Sequence, residues 1–217
     1  MANQHGDERP GAGAHHVVRP DGRTLRALAH PLRVQMLGLL RADGPATASQ
    51  LALRTGQSSG STSYHLRQLE AAGLVAEATD RGNARDRWWR AVHRRTEFDL
   101  PPDSNEETKA VGEEYLRAVA YTYAHKLDAS IAALPTLDAD LGEGWSQGFT
   151  MSDYSLRLTR EEALELAAEL EAIGARYRHD DPDHRADAPE GAQRVVLQFQ
   201  VMPVVSHPSG PPSGGKP

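Results

Sequence analysis

Between Ser58 and Gln68 the chain reads "SSGSTSYHLRQ", which sets four serines, a glycine, a tyrosine and an arginine within eleven residues. Hydroxyl, guanidinium and carboxamide groups are those that address base edges. Arginine pairs with guanine through two parallel bonds, and serine and glutamine suit several edges. Ser58, Ser59, Gly60, Ser61, Ser63, Tyr64, Arg67 and Gln68 are therefore candidate duplex-reading residues. A second group, Arg81, Asn83, Arg85 and Arg87 in "DRGNARDR", supplies cations and an amide suited to phosphate oxygens, against Asp80 and Asp86. Three histidine features, His15-His16, "HDDPDH" (His179 to His184) and His30 with His65 and His93, carry ligand types that can hold a divalent ion. Their simpler reading is a tail, a solvated acidic loop and scattered packing residues, so no metal is expected. Tyr115, Tyr123, Trp145 and Tyr154 suit either an apolar effector pocket or a dimer core, and both readings stand. The chain has no cysteine, hence no disulfide framework and no thiolate metal site. Neither a nucleophile elbow nor a glycine-rich phosphate loop is present, so neither enzymatic chemistry nor a cofactor is expected.

The element that must position the first group is a helix opened by Ser58, whose side-chain oxygen can accept the free amides of the first turn. At 100° per residue, Thr62, Leu66, Leu69 and Gly73 share one side. Gly60, Tyr64, Arg67 and Ala71 share the other, flanked by Ser63 and Gln68. His65 falls at the boundary and reads as a packing residue. Upstream, "RTLRALAHPLRVQMLGLLRADG" predicts two helices broken at His30-Pro31, because proline suits a first helical turn and restricts the residue before it. "TASQLALRTG" predicts a short third helix with Leu51 and Ala52 inward and Gly56 as its C-terminal cap. Downstream, "LVAEATDRGNARDRWWRAV" reads as strand, polar turn, strand. Trp88 and Trp89 must point to opposite faces, one of them into the core. Helix, glycine turn, polar-faced helix and arginine-rich hairpin, in that order, make a winged helix-turn-helix.

The charge distribution agrees. Residues 1–95 hold 14 arginines and no lysine against 8 acidic side chains, a balance of +6. Residues 96–217 hold 10 basic against 22 acidic side chains, a balance of −12. A basic half meeting a polyanion explains that asymmetry. An acidic half that docks a protein partner, with the winged helix as an interaction module, is the alternative. Hydrophobic content of 39% and charged content of 25% fit a globular protein of one or two domains. No apolar run approaches the ~20 residues that span a bilayer. The first twenty residues lack the apolar core of a secretory signal, so a cytoplasmic location is expected.

Residues 1–20 and 204–217 read as unstructured tails, and "DLPPDSNEE" near residue 99 as a boundary. The chain then divides into a winged helix-turn-helix at 21–98 and a second region at 99–203. That region opens with a helix from Glu106 to Leu134 whose stripe of Leu116, Val119, Tyr123, Leu127, Ile131 and Leu134 suits dimerisation. A strand with Tyr154, Leu156 and Leu158 follows. Next come a helix opened by the Thr159/Glu162 capping-box pattern and a strand with Val195, Leu197, Phe199 and Val201. The expected class is α+β: an N-terminal winged helix-turn-helix, a long dimerisation helix and a small strand-helix-strand unit.

"LAHPLRVQMLGLL" (28–40), "ASQLALRTGQSSGSTSYHLRQLEAAGLV" (48–75) and the basic hairpin together resemble the ArsR-type winged-helix transcriptional regulators, over about residues 22–95. The resemblance implies a bacterial-type dimeric repressor that reads a palindromic operator. By position it places Ser59 to Ser63, Tyr64 and Arg67 on the recognition face, and His65-Leu66 on the family's His-Leu pair. Founding members sense metals through cysteine thiolates, which this chain lacks, so the arsenic-sensing role does not carry over. Gln57 and Gln68 depart from positions commonly apolar in the pattern. Any effector is expected to be a small non-metal molecule bound by the second region.

Overall fold

A computed structural model describes residues 17–81, 86–98, 104–182 and 184–205. Four helices form the first layer: α1 (Gly22–Leu28), α2 (Pro31–Asp43), α3 (Ala48–Thr55) and α4 (Ser59–Ala71). Each is bounded by a local device readable in its residues. Asp21 caps α1 by accepting from the Thr24 amide. His30 caps α2, its Nδ1 accepting from the Leu32 amide at 3.2 Å, while Pro31 takes the first helical position, where no amide partner is needed. Arg33 then reaches back, and its guanidinium donates to the carbonyls of Ala27 and, at 3.0 Å, Arg26. The break "HPLR" is thus a joint in which histidine starts one helix and arginine finishes the other.

Thr47 and Gln50 form a reciprocal capping box on α3, and Gly56 ends it in the left-handed region at φ 67°. A residue with a Cβ is strained in that conformation, which is why the turn before α4 carries glycine. Ser58 caps α4 through the Ser61 amide at 3.2 Å.

Three short strands, β2 (Ala46–Thr47), β3 (Val75–Glu77) and β4 (Trp88–Ala91), form an antiparallel sheet in the order β2-β4-β3. Val75 pairs with Ala91 and Glu77 with Trp89. A second ladder joins β1 (Val17–Val18) in parallel to β5 (Arg95–Thr96). Val17 and Val18 were expected in the N-terminal tail. Two adjacent valines facing an open edge are enough to form a ladder, and Arg19 strengthens it through Glu97. The remainder of that tail, residues 1–16, and residues 206–217 of the C-terminal one lie outside the described residues.

The core collects Leu25, Leu28, Met36, Leu37, Leu40, Leu51, Leu66, Leu69, Leu74, Val75 and Trp89. Each contributes roughly 1.5–3 kcal/mol on burial, an upper figure because the unfolded chain already hides some surface. Trp89 is the inward tryptophan of the pair, at 3% exposure. One core member comes from further along the chain. Helix α5 (Glu106–Ala133) packs on α1 and α2 through Gly112, Tyr115, Ala118 and Thr122. The Tyr115 ring lies 5.2 Å from that of Phe98.

This packing divides the stripe expected to dimerise. Val119 packs partly against the core, Tyr123 and Leu134 are half-buried, and Leu116, Leu127 and Ile131 are exposed. The reason is the helix's position: its first half is clamped by α1 and α2, so only the side turned from them stays open.

Helices α6 (Leu137–Leu141) and α7 (Arg160–Ala175) follow. The Thr159/Glu162 capping box on α7 forms as expected, with bonds of 2.7 and 3.2 Å. The two flanking strands do not form: residues 151–159 and 193–205 pair in no ladder. Tyr154, Leu156, Leu158, Val195 and Leu197 alternate correctly but remain exposed. A strand needs a ladder partner and a covered face, and alternation alone supplies neither. The architecture is mixed helix and strand, and among the described residues the sheets lie in the N-terminal helix-turn-helix region. Among the described residues no helix is long and apolar enough to cross a membrane.

Candidate nucleic-acid interface

The angle between α3 and α4 fixes the site. Thr62 is fully buried, and its hydroxyl donates to the Ala48 carbonyl at 2.8 Å, tying the first turn of α4 to the first turn of α3. Leu66 and Leu69, both fully buried, continue the inner face. His65 is buried as well: its ring lies 4.5 Å from that of His30 and is met edge-on by Tyr64 at 5.2 Å. Burial holds the His65 imidazole below its ordinary pKa, and His30 and Arg33 add to this. Burial, then Arg33, does the same to His30. His65 is therefore a neutral packing group that joins the "HP" and "HL" dipeptides of the sequence into one contact.

The opposite face of α4 is open. Ser58, Ser59, Gly60, Tyr64, Arg67 and Gln68 are exposed, and Ser61 and Ser63 half-buried. Gly60 is informative because nothing inside the protein requires it. A Cβ placed there meets only Ser58 Oγ, at 4.0 Å, and the residue does not have a positive φ. Helical glycine costs up to ~1 kcal/mol relative to alanine, and the fold itself has room for the missing methyl. Arg67 makes no ion pair among the described residues. With Ser63 it borders a shallow cavity of about 230 Å³, whose other walls are Thr47 and Ser49 at the start of α3 and Asp86 and Arg87 at the hairpin. The open α4 face, the start of α3 and the hairpin base thus share one surface.

The hairpin residues separate into two kinds. Arg81 is exposed near the hairpin's tip, while Asn83 and Arg85 lie outside the described residues. Arg87 is engaged within the protein. Its Nε donates to Glu77 and its Nη2 to Glu70, both at 2.8 Å, and its guanidinium carbon stands 4.3 Å from the centre of the Trp89 ring. The side chain expected to meet phosphate thus also makes contacts within the protein. Two of its five N–H groups go to carboxylates and the Trp89 ring lies beside it, while the side chain remains 45% exposed. Glu70 and Glu77 were missed from the sequence. The strand register, which sets Glu77 opposite Trp89, brings Glu77 to Arg87, and the packing of α4 brings Glu70.

The aromatic residues expected at an effector pocket differ in burial. Tyr115 is a core residue whose hydroxyl pKa burial raises, Tyr123 and Trp145 are half-buried, and Tyr154 is 78% exposed. In "HDDPDH" the carboxylates meet arginines: Asp180 bonds Arg185 and Arg194, and Asp181 bonds Arg94 at 2.7 Å. His184 Nδ1 lies 3.0 Å from Asp181. Asp183 lies outside the described residues. No group of three or more metal-ligating side chains assembles among the described residues.

A family described as a helix-turn-helix domain matches residues 28–78, which run from the end of α1 to just past β3. The match covers the joint at His30-Pro31, both helices of the motif and the first hairpin strand. It supports a DNA-binding regulator. No curated protein matches the chain.

Proposed function

We propose that the protein is a sequence-specific transcriptional regulator that binds duplex DNA as a homodimer on a palindromic operator and represses by occupying it. The observation that carries this reading is the α4 surface. A helix whose inner face is fully buried presents small residues at its N-terminal end and further along Arg67, without an ion pair among the described residues, beside a hairpin. Small residues admit the helix start to the major groove, where its amides and dipole favour phosphate, and Arg67 reads a base edge. Ser59, Ser63, Tyr64 and Gln68 complete that edge, and Arg81 contacts backbone phosphate. The exposed Leu116, Leu127 and Ile131 on α5 supply an apolar face for the second protomer. A two-fold dimer then sets its recognition helices in successive major grooves, roughly 34 Å apart.

Selection of bound duplexes from a random pool, followed by affinity measurement over a salt series, tests the reading. Enrichment of a palindromic motif is expected, with log affinity falling linearly against log salt. Arg67→Ala should flatten sequence preference, whereas Arg81→Ala should weaken all duplexes alike and reduce the salt slope by about one. Retention of no duplex at low salt would sink the reading and leave the acidic half as the docking surface of an interaction module.

A further inference from the structure

We infer that Arg87 is a positioning residue that locks the hairpin onto the recognition helix and thereby sets the distance between the base-reading edge and the phosphate contacts. The inference rests on the DNA-binding reading above and goes beyond it. It assigns Arg87 a role other than touching DNA and gives functional roles to Glu70 and Glu77.

Three contacts carry it. Glu70 stands in the last turn of α4, Glu77 ends β3, and Arg87 lies just before β4. Through two bonds of 2.8 Å, one guanidinium therefore ties three consecutive elements together. The planar fork suits this task because each carboxylate takes a different nitrogen. Stacking on Trp89, itself anchored in the core, fixes the plane of the fork. The β3–β4 ladder holds the two strands to each other, and the Arg87–Glu70 bond ties them to α4. Past the ladder, the Ala78 amide donates to the Trp88 carbonyl at 2.8 Å, one step before Arg87. Asp86 and Arg87 also wall the cavity that Ser63 and Arg67 border, so a rotation of the hairpin base alters the surface next to the reading edge.

The clasp and a direct phosphate contact predict opposite signs for one variant. Glu70→Gln with Glu77→Gln removes two negative charges from a surface that faces a polyanion and weakens both bonds to Arg87, since a neutral carboxamide accepts less strongly than a carboxylate. If Arg87 were a phosphate contact, duplex affinity would rise and the salt slope would steepen. With the clasp, affinity falls by about fivefold as the hairpin's phosphate contacts lose their register, and the slope becomes shallower. Arg87→Lys keeps the charge but lacks the fork and the planar stack, so it should behave like Arg87→Ala rather than like the unaltered protein.

Amide hydrogen exchange on the free full-length protein reads the clasp without DNA. Faster exchange at residues 75–91 in Arg87→Ala, with α1 to α3 unchanged, is expected. Unaltered hairpin exchange, tighter binding by the double glutamine variant, or wild-type affinity in Arg87→Lys would each overturn the inference. Absence of duplex binding by the unaltered protein would instead refute the DNA reading, and the exchange experiment would still decide the clasp.

Discussion

Replacing Gly60 by alanine should make the protein more stable and a poorer DNA binder at once. The residue sits in the second position of α4, without a positive φ and with open space where a methyl would go. Alanine there removes conformational freedom from the unfolded chain and improves helix propensity, together about 0.5–1 kcal/mol. The lower end is expected because first-turn positions feel propensity least. For a chain of this size that is a rise of about 1–4 °C in melting temperature.

Gly38 provides the internal comparison. It lies within α2, away from the reading face, and a Cβ there also meets nothing within 4 Å. Gly38→Ala should stabilise by up to about 1 kcal/mol and leave DNA affinity unchanged. Gly60→Ala should weaken binding about tenfold, because a methyl at the closest approach holds the helix off the groove. Thermal melts and urea titrations give the first quantity, and fluorescence anisotropy on a selected duplex gives the second. If Gly60→Ala stabilised as much as Gly38→Ala and bound DNA equally well, the glycine would be incidental and the proposed orientation of α4 wrong.

The His30–His65 contact makes the fold sensitive to acid. Both imidazoles are held below their ordinary value in the folded protein, by burial first. The unfolded chain therefore takes up protons sooner, and stability is full above about pH 7 and lost as pH falls through about 6.5 toward the lower folded values. Urea midpoints from pH 8 to 5 should show this decline, and His65→Leu should make it shallower. Arg33→Ala should cost about 1–2 kcal/mol by leaving the last carbonyls of α1 without their donor. Arg33→Lys should fail to restore stability because a single ammonium does not span both carbonyls, as chemical denaturation will show. Thr62→Val keeps the side chain's shape while deleting the bond to Ala48, and should lower stability by about 1 kcal/mol where Thr62→Ser retains the bond. A Thr62→Val melt equal to that of the unaltered protein would show that the bond does not hold the two helices.

Local chemistry made the reading head legible. His30-Pro31, Gly56, Ser58 and the 100° periodicity of α4 each act within a few residues, so their consequences can be worked out from spacing alone. What escaped was what depends on distant partners. Arg87 looks like a free cation until the strand register brings Glu77 to it and the packing of α4 brings Glu70. Tyr115 looks like part of a separate domain until α5 is seen against α1 and α2. The alternation at Val195 and Leu197 correctly marks residues suited to a strand, yet the exposed result shows that suitability and pairing are different properties. Val17 and Val18 fail in the other direction, since a two-residue ladder is too short to leave a period.

Helix α5 belongs to two structures at once. Its first turns complete the core around Tyr115, while its later turns carry Leu127 and Ile131 outward. At about 1.5 Å per residue its 28 residues span roughly 42 Å, so it works as a stiff shaft with one end set in the reading head. The head is consequently not a detachable module: a fragment cut before Glu106 would lose a wall of its own interior. Torque applied at the far end reaches α1 and α2 through continuous helix, without an intervening hinge.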